Sequence, residues 1–274
     1  MKNKPKVTVI VDNCTRKREL LAEHGLAFLI EYQGKNILFD TGQGMALLNN
    51  LKKLNFDINK LDAVIISHGH YDHTGALKEV CDANPNIPVF IHPKAFDKRY
   101  SLHKDGSLHN IGIQYDFGDN LNLKLIDKPT EIFNSFFLTG TIPLQNHFED
   151  SGGNFFIDKQ CKHRDLIPDD QAVFIETSKG ITVILGCSHS GVINTLNYIK
   201  KLSKSRKICN VIGGMHLVNA NDYRIDKTIN ELQKFNLKML YPTHCTGFNA
   251  STKLYNHFKE CCQPLVAGDS LEII

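Results

Sequence analysis

Three histidines and one aspartate lie within six consecutive positions of this sequence, directly after a short apolar run at residues 63–66. They are His68, His70, Asp72 and His73. Imidazole nitrogens and a carboxylate oxygen together form a donor set that zinc accepts in proteins. Because side chains alternate along an extended loop, we expect His68 and His70 on one side and Asp72 and His73 on another. The segment predicts a metal site with room for two ions; a histidine-rich surface loop is the alternative interpretation.

The elements around this loop are predicted to alternate between strands and helices. Apolar, β-branched runs predict strands at residues 7–11, 27–32 and 36–39, the last two joined by a hairpin turn. Further strands are predicted at residues 63–66, 89–91, 111–117, 122–126, 172–177, 181–185, 209–212 and 238–241. The spacing of apolar residues predicts helices at residues 45–54, 75–81, 192–202 and 223–235. The pattern indicates an α/β fold.

Two stretches of the chain share one order of features. Residues 63–80 and 182–199 each run from an apolar strand through a Ser-His step and a glycine into a helix. Each stretch places a histidine, His68 or His189, at the carboxyl end of a strand. Sheets flanked by helices bind ligands at that edge, so we expect the two histidines over a common cleft.

The segment between these two stretches has a different character. Residues 99–170 are rich in glycine and other turn residues and carry only short apolar runs. We interpret this segment as a substrate-covering insertion within a single domain of residues 1–274.

The composition of the sequence limits the classes of partner that the protein is expected to bind. The sequence has 32 Lys and Arg against 29 Asp and Glu, a net charge of +3, which is too weak to indicate binding to nucleic acid or anionic lipid. No apolar stretch approaches the roughly 18 residues that cross a bilayer, and no signal peptide is predicted. The 8 cysteines include no Cys-x-x-Cys pair and are expected to remain thiols. We expect a cytoplasmic protein with a small-molecule substrate, with no nucleic-acid or membrane partner and with the oligomeric state left open.

The loop at residues 67–75 resembles the His-x-His-x-Asp-His signature of the metallo-β-lactamase superfamily. Asp40 in residues 38–42 resembles the early Asp motif of that superfamily, and His189 in residues 186–191 and His244 in residues 242–247 match its later histidine motifs in order. The resemblance implies a four-layer αββα sandwich. It implies one metal held by His68, His70 and His189 and another held by Asp72, His73 and His244. It also implies that Asp40 supports the ligand loop and that Asp72 positions the attacking water or nucleophile, as the catalytic residue.

Finer motifs are similar to one branch of the superfamily. They lie at residues 11–13, 23–26, 168–172 and 213–217. This branch is named for 7,8-dihydropterin-6-methyl-4-(β-D-ribofuranosyl)aminobenzene-5′-phosphate synthase, which implies displacement of pyrophosphate from a dihydropterin. The candidate substrate contacts in and near these motifs are Asn13, His24, Cys187 and His216.

The chain departs from the superfamily pattern at residues 211–216, where an Asp that bridges two metals is expected and none is present. Either the second metal binds weakly, or His216 ligates metal or substrate instead. Cys187 and Cys245 lie within two positions of proposed ligands, so each is either a small buried thiol or a metal thiolate. Nitrogen-rich ligation favours zinc, as one or two ions, and leaves manganese and iron open.

These observations predict a metal-dependent hydrolase or transferase that acts on a phosphate-bearing or dihydropterin-like small molecule. Two alternative hypotheses remain. In the first, the chain is a metal- or ligand-binding module of the same fold with little catalysis. In the second, it is a nuclease, which the weak net charge makes the less favoured hypothesis.

Overall fold

The protein folds into short strands and helices, and strands and α-helices alternate in the stretches from β3 to β5 and from β13 to β15. The computed structural model describes residues 4–115 and 121–273. The strands are β1 (Lys6–Val11), β2 (Ala27–Tyr32), β3 (Lys35–Phe39), β4 (Ala63–Ile65), β5 (Val89–Ile91), β6 (Tyr100–Leu102), β7 (Leu108–Asn110), β8 (Leu123–Leu125), β9 (Thr130–Phe133), β10 (Phe136–Leu138), β11 (Phe155–Phe156), β12 (Val173–Thr177), β13 (Gly180–Leu185), β14 (Ile208–Gly213), β15 (Met239–Pro242) and β16 (Ser270–Glu272). The helices are α1 (Leu47–Lys53), α2 (Tyr71–Thr74), α3 (Leu77–Ala83), α4 (Val192–Leu202), α5 (Asp222–Gln233) and α6 (Phe248–Phe258).

The chain divides into two compact units. Unit 1 comprises Met1–Lys98, Ile111–Leu125 and Leu265–Ile274, and unit 2 comprises Arg99–Asn110 and Ile126–Pro264. The single-domain assignment and the covering role of residues 99–170 stay predictions. Within the described residues, no helix is both long and apolar enough to cross a bilayer.

Unit 1 is built on a sheet with strand order β16-β1-β2-β3-β4-β5-β8. The predicted hairpin between β2 and β3 is confirmed, with Gln33 and Gly34 at φ 49° and 79° in a tight turn. From β3 onward the strands run parallel, so the carboxyl ends of β3 and β4 lie side by side. Helices α1 and α3 bury leucines against this sheet, and the resulting apolar core fixes the edge from which the histidine loop leaves.

Unit 2 repeats the same construction with a sheet of order β15-β14-β13-β12-β10-β9. Strands β13, β14 and β15 are parallel, and helices α4, α5 and α6 supply Leu196, Ile225 and Leu254 to the core. A smaller sheet of order β11-β6-β7 lies in the turn-rich segment. Parallel strands again bring several carboxyl ends, those of β13, β14 and β15, to one edge.

One predicted strand is not observed in the described residues, and one observed helix was not predicted. Residues 111–115 of the predicted strand at 111–117 are irregular, and the carbonyl of Ile111 accepts a hydrogen bond from the backbone of Tyr71 in the histidine loop. Phe117 lies outside the described residues. Helix α6 was not predicted; Ala250 and Leu254 are buried in it, while Phe248 is 90% exposed.

A buried ion pair ties together the turn-rich part of unit 2. The guanidinium of Arg99, only 1% exposed, contacts Asp165 at 2.9 Å and Asp169 at 2.5 Å. Removing one partner of such a group leaves the other charges buried and uncompensated.

We therefore expect Arg99→Ala to lower the free energy of unfolding by about 3–5 kcal/mol, measured by urea denaturation. Arg206→Ala is the matched control, because Arg206 pairs with Glu176 at 2.7 Å but is 42% exposed. Arg206→Ala should lower the free energy of unfolding by about 0–1 kcal/mol. Equal decreases in the two variants would contradict the structural role of Arg99.

Candidate functional site

The histidine loop, residues 67–75, is fixed to the sheet of unit 1 by Asp40. Asp40 follows β3, is fully buried and has φ 61°. Its Oδ1 accepts a hydrogen bond from the backbone N–H of Ser67 at 2.7 Å, and its Oδ2 accepts one from the Ser67 hydroxyl at 2.7 Å. Because Ser67 follows the neighbouring parallel strand β4, this carboxylate joins two strand ends and sets where the loop starts.

Two imidazole rings of the loop are oriented through the same carboxylate. His73 Nδ1 lies 2.7 Å from Asp40 Oδ2, and His68 Nδ1 lies 2.9 Å from the Ser67 hydroxyl oxygen. Since that hydroxyl donates its proton to Asp40, it accepts from His68. Both rings therefore carry their proton on Nδ1 and present a lone pair on Nε2, the tautomer that a metal ligand needs.

His70 brings a third imidazole to the same place. Its Nδ1 lies 2.9 Å from Nε2 of His68, and its backbone precedes the short helix α2. Two nitrogens on one tetrahedral zinc, with bonds of about 2.0–2.1 Å, lie about 3.3 Å apart. The observed separation is close to that value, so the pair fits a shared ion with a small adjustment.

Asp72 presents the hard oxygen donor of the loop. Its Oδ2 lies 3.6 Å from Nε2 of His73 and 3.2 Å from Nε2 of His24. The side chain of His24 is 55% exposed, whereas that of Asp72 is 9% exposed. Asn13 contacts the other ring nitrogen of His24 at 3.3 Å. His24 thus stands between a buried carboxylate and solvent, where it can meet a substrate.

One supporting residue of unit 1 was missed by sequence reasoning. Glu23 is 6% exposed, and its carboxylate accepts hydrogen bonds of 2.8–3.2 Å from the four successive backbone N–H groups of residues 43–46. These groups precede α1, whose N-cap Ala46 has no capping side chain. The missing cap was the signal that could have identified a distant carboxylate.

Two glycines let the backbone of the loop approach its neighbours. A Cβ on Gly69 would lie 2.0 Å from the carbonyl oxygen of Ala95, and one on Gly75 would lie 2.0 Å from that of Gln43. Any side chain at either position would displace backbone. The loop is therefore fixed by close packing as well as by hydrogen bonds.

In unit 2, His189 follows β13 and precedes α4. Its Nδ1 contacts the carbonyl oxygen of Ser151 at 2.8 Å and must carry the proton, so Nε2 again bears the lone pair. The next residue, Ser190, donates its backbone N–H to Asp170 at 2.8 Å. Burial raises the pKa of Asp170 to about 7, partly offset by its hydrogen bonds to the backbone. The turn that carries His189 is thus fixed on both sides.

Cys187 lies at the centre of the donors of unit 2. Its Sγ is within 4.8 Å of a ring nitrogen of His189, of His244 and of His216, and within the same distance of Cys245 Sγ. His244 begins a short turn after β15 with φ 47°. Burial raises the pKa of the Cys245 thiol, but a hydrogen bond to Cys187 and the fields of His244 and His216 outweigh it and lower that pKa well below its ordinary value.

The structure therefore groups the candidate residues within each unit. Unit 1 brings together His68, His70, Asp72, His73, Asp40, His24 and Asn13. Unit 2 brings together His189, His244, Cys187 and His216, with Cys245 beside them. The assignment of these residues as metal ligands and substrate contacts stays a prediction.

An α/β chain whose parallel strands end in oriented histidines, a carboxylate and thiols defines a class of protein suited to holding divalent metal. The chain belongs to the metallo-β-lactamase superfamily, whose family model matches residues 21–198. Over 262 residues it is 33% identical to 7,8-dihydropterin-6-methyl-4-(beta-D-ribofuranosyl)-aminobenzene-5'-phosphate synthase of Methanocaldococcus jannaschii, covering 90% of this chain and 89% of that protein. The predicted resemblance is confirmed.

Two further relatives extend the comparison. An uncharacterized protein of Methanocaldococcus jannaschii is 35% identical over 254 residues, which cover 90% of this chain and 93% of that protein. A crystal structure described as a metal-dependent hydrolase of the beta-lactamase superfamily is 29% identical, with a TM-score of 0.84 over 98% of this chain and 99% of the other. The predicted α/β fold class of the metallo-β-lactamase type is therefore confirmed.

The position of Asp40 predicts a measurable effect on metal affinity. In Asp40→Asn, an amide N–H₂ replaces the oxygen that accepts from Ser67 and His73, so donors face donors. We expect the dissociation constant for zinc to rise about 10–100-fold, measured by competition with a chromogenic chelator.

Asp62→Asn is the matched control, because Asp62 also accepts a backbone N–H, that of Asn36 at 2.8 Å, just before β4. Its zinc affinity should equal that of the unchanged protein. A normal affinity in Asp40→Asn would contradict the orienting role of Asp40.

Proposed function

We propose that the chain is a metal-dependent enzyme that acts on a phosphate-bearing or dihydropterin-like small molecule. The proposed ligands are His68, His70 and His189 for one ion and Asp72, His73 and His244 for another. A zinc-type ion supplies Lewis acidity, which acidifies bound water or stabilises charge on a leaving group. A small-molecule substrate and a cytoplasmic location belong to this proposal.

One observation carries the proposal. His68, His73 and His189 each have Nδ1 held by an oxygen, from Ser67, Asp40 and Ser151 respectively. Metal-ligating histidines are almost always held in this way through their second nitrogen. A histidine that serves only as packing has no need for this shared tautomer, and three such rings on two sheets favour ligation.

The chain's own groups have distinct tasks in this proposal. Asp40 and Ser67 keep the rings of His68 and His73 aligned. Asp72 positions the incoming nucleophile, and its buried carboxylate is oriented by the contact with His24. His24 and Asn13, both exposed, contact the substrate.

The relative named as a dihydropterin synthase supports one choice of reaction. In that reaction the partner's nucleophile forms a bond to the dihydropterin methylene carbon while pyrophosphate leaves with the electrons of the broken C–O bond. The relative described as a metal-dependent hydrolase supports the other, in which water is the nucleophile. Both reactions require Asp72 and the same histidines.

We expect His68→Ala and Asp72→Ala each to lower turnover by at least about 100-fold while the fold is retained. The assays are pyrophosphate release from a dihydropterin diphosphate with an aryl ribofuranosyl phosphate partner, and hydrolysis of a simple phosphodiester. His163→Ala is the control, because His163 is exposed and contacts Asp158. Chelation should abolish the activity and added zinc should restore it.

Metal content separates the enzyme from the binding-module alternative. Two tightly held ions per chain together with turnover support the enzyme. Full activity in either His68→Ala or Asp72→Ala would exclude the proposal, and one weakly held ion with no turnover would favour the module.

His24 yields a separate prediction for substrate binding. His24→Ala removes a polar contact at the exposed side of Asp72, so we expect KM to rise about tenfold, the loss of one hydrogen bond. Metal content, measured by elemental analysis, should stay unchanged. A fall in metal content at constant KM would instead make His24 a support for Asp72 and contradict the substrate contact.

A further inference from the structure

Unit 2 contains a compact group of sulfur and nitrogen donors that the proposed ligand set leaves unused. The donor atoms of Cys187, His216 and Cys245 all lie within 4.8 Å of one another. Both cysteines are buried, at 2% and 5% exposure. A set of two sulfurs and one imidazole nitrogen is one that zinc accepts, with zinc–sulfur bonds of about 2.3 Å.

The chain makes room for this group at the end of β14. A Cβ on Gly214 would lie 2.6 Å from Cys245 Sγ and 2.5 Å from the carbonyl oxygen of Gly186. The space that a side chain at position 214 would need is therefore taken by sulfur and backbone. Residues 211–216 carry no carboxylate, so thiols stand where an oxygen donor could otherwise have been placed.

The backbone conformation and the surroundings of His216 are consistent with a role as a metal ligand. Its backbone is left-handed, with φ 45°, an uncommon conformation for a residue other than glycine. Gly152 packs against the ring edge that carries Cδ2 and Nε2. The buried Nδ1 of His216 has no hydrogen bond to a nitrogen or oxygen atom of the described residues, and the His216 side chain is hydrogen-bonded to the thiol of Cys245. A thiol is a weak hydrogen-bonding group, so a metal bond would stabilise this buried ring nitrogen more than the thiol does.

We propose that Cys187, His216 and Cys245 bind a divalent ion of the zinc type, with sulfur as the main donor. Cys187 also lies within 4.8 Å of ring nitrogens of His189 and His244, so it connects this group to the proposed ligands of unit 2. The inference rests on the proposed function only in that His189 and His244 are taken to hold metal. The thiols of Cys187 and Cys245 each release one proton to solvent as they bind the ion as thiolates.

X-ray absorption at the zinc edge of the zinc-loaded full chain tests this directly, because it counts sulfur neighbours without an activity assay. We expect a sulfur shell at about 2.3 Å in the unchanged protein. The shell should weaken in Cys187→Ala and in Cys245→Ala and vanish in the double variant.

Cys209→Ala is the matched control, because Cys209 is also a buried cysteine of unit 2 and lies on β14. Its sulfur shell should be unchanged. The measurement on the unchanged protein decides the matter even where a variant fails to fold: a shell of nitrogen and oxygen alone overturns the proposal. A sulfur shell that survives in the double variant also overturns it.

The outcomes separate this inference from the proposed function. If zinc binds through nitrogen and oxygen alone and His68→Ala abolishes turnover, the results support the proposed function and exclude the sulfur site. If the sulfur shell is present and depends on Cys187 and Cys245 while His68→Ala keeps full turnover, the sulfur site stands and the proposed function falls.

Discussion

The buried carboxylate of Asp40 is the interaction on which the histidine loop depends. A carboxylate with no exposure to water is costly unless its oxygens are hydrogen-bonded, and Asp40 accepts from a backbone N–H, a hydroxyl and an imidazole. Each of these partners belongs to the loop. The free energy that would be lost by leaving Asp40 unsatisfied therefore maintains the position of the loop and the tautomers of its rings.

In unit 2 the ring of His189 is oriented in the same way, through Nδ1, but by a weaker hydrogen bond. His189 is held by the backbone carbonyl of Ser151, whereas His73 is held by the carboxylate of Asp40. A carboxylate partner makes the opposite ring nitrogen more basic than a carbonyl does. His73 should therefore be the stronger donor to a metal. In both units a hydrogen bond from Nδ1 orients a histidine near the end of a strand. The hydrogen-bond acceptor differs, so the basicity of Nε2 differs as well.

The order of residues close together in the sequence was enough to predict which candidate ligands lie at strand ends. The His-x-His-x-Asp-His loop after an apolar strand identified four of the proposed ligands, and the repeated strand, Ser-His step and helix located His189. It was insufficient where the partner is distant in the chain. Glu23 acts on residues 43–46, and Arg99 pairs with Asp165 and Asp169, so only folding reveals these contacts.

The donor atoms of the two units differ in softness, and this difference bears on the metal. Unit 1 offers imidazole and the carboxylate of Asp72, which accept zinc, manganese or iron. Unit 2 adds the thiols of Cys187 and Cys245 to its imidazoles. Soft sulfur ligands favour zinc over manganese, which prefers oxygen. The absence of a side chain at position 214 leaves the space that the sulfur of Cys245 occupies, so the softer donor set of unit 2 depends on this glycine.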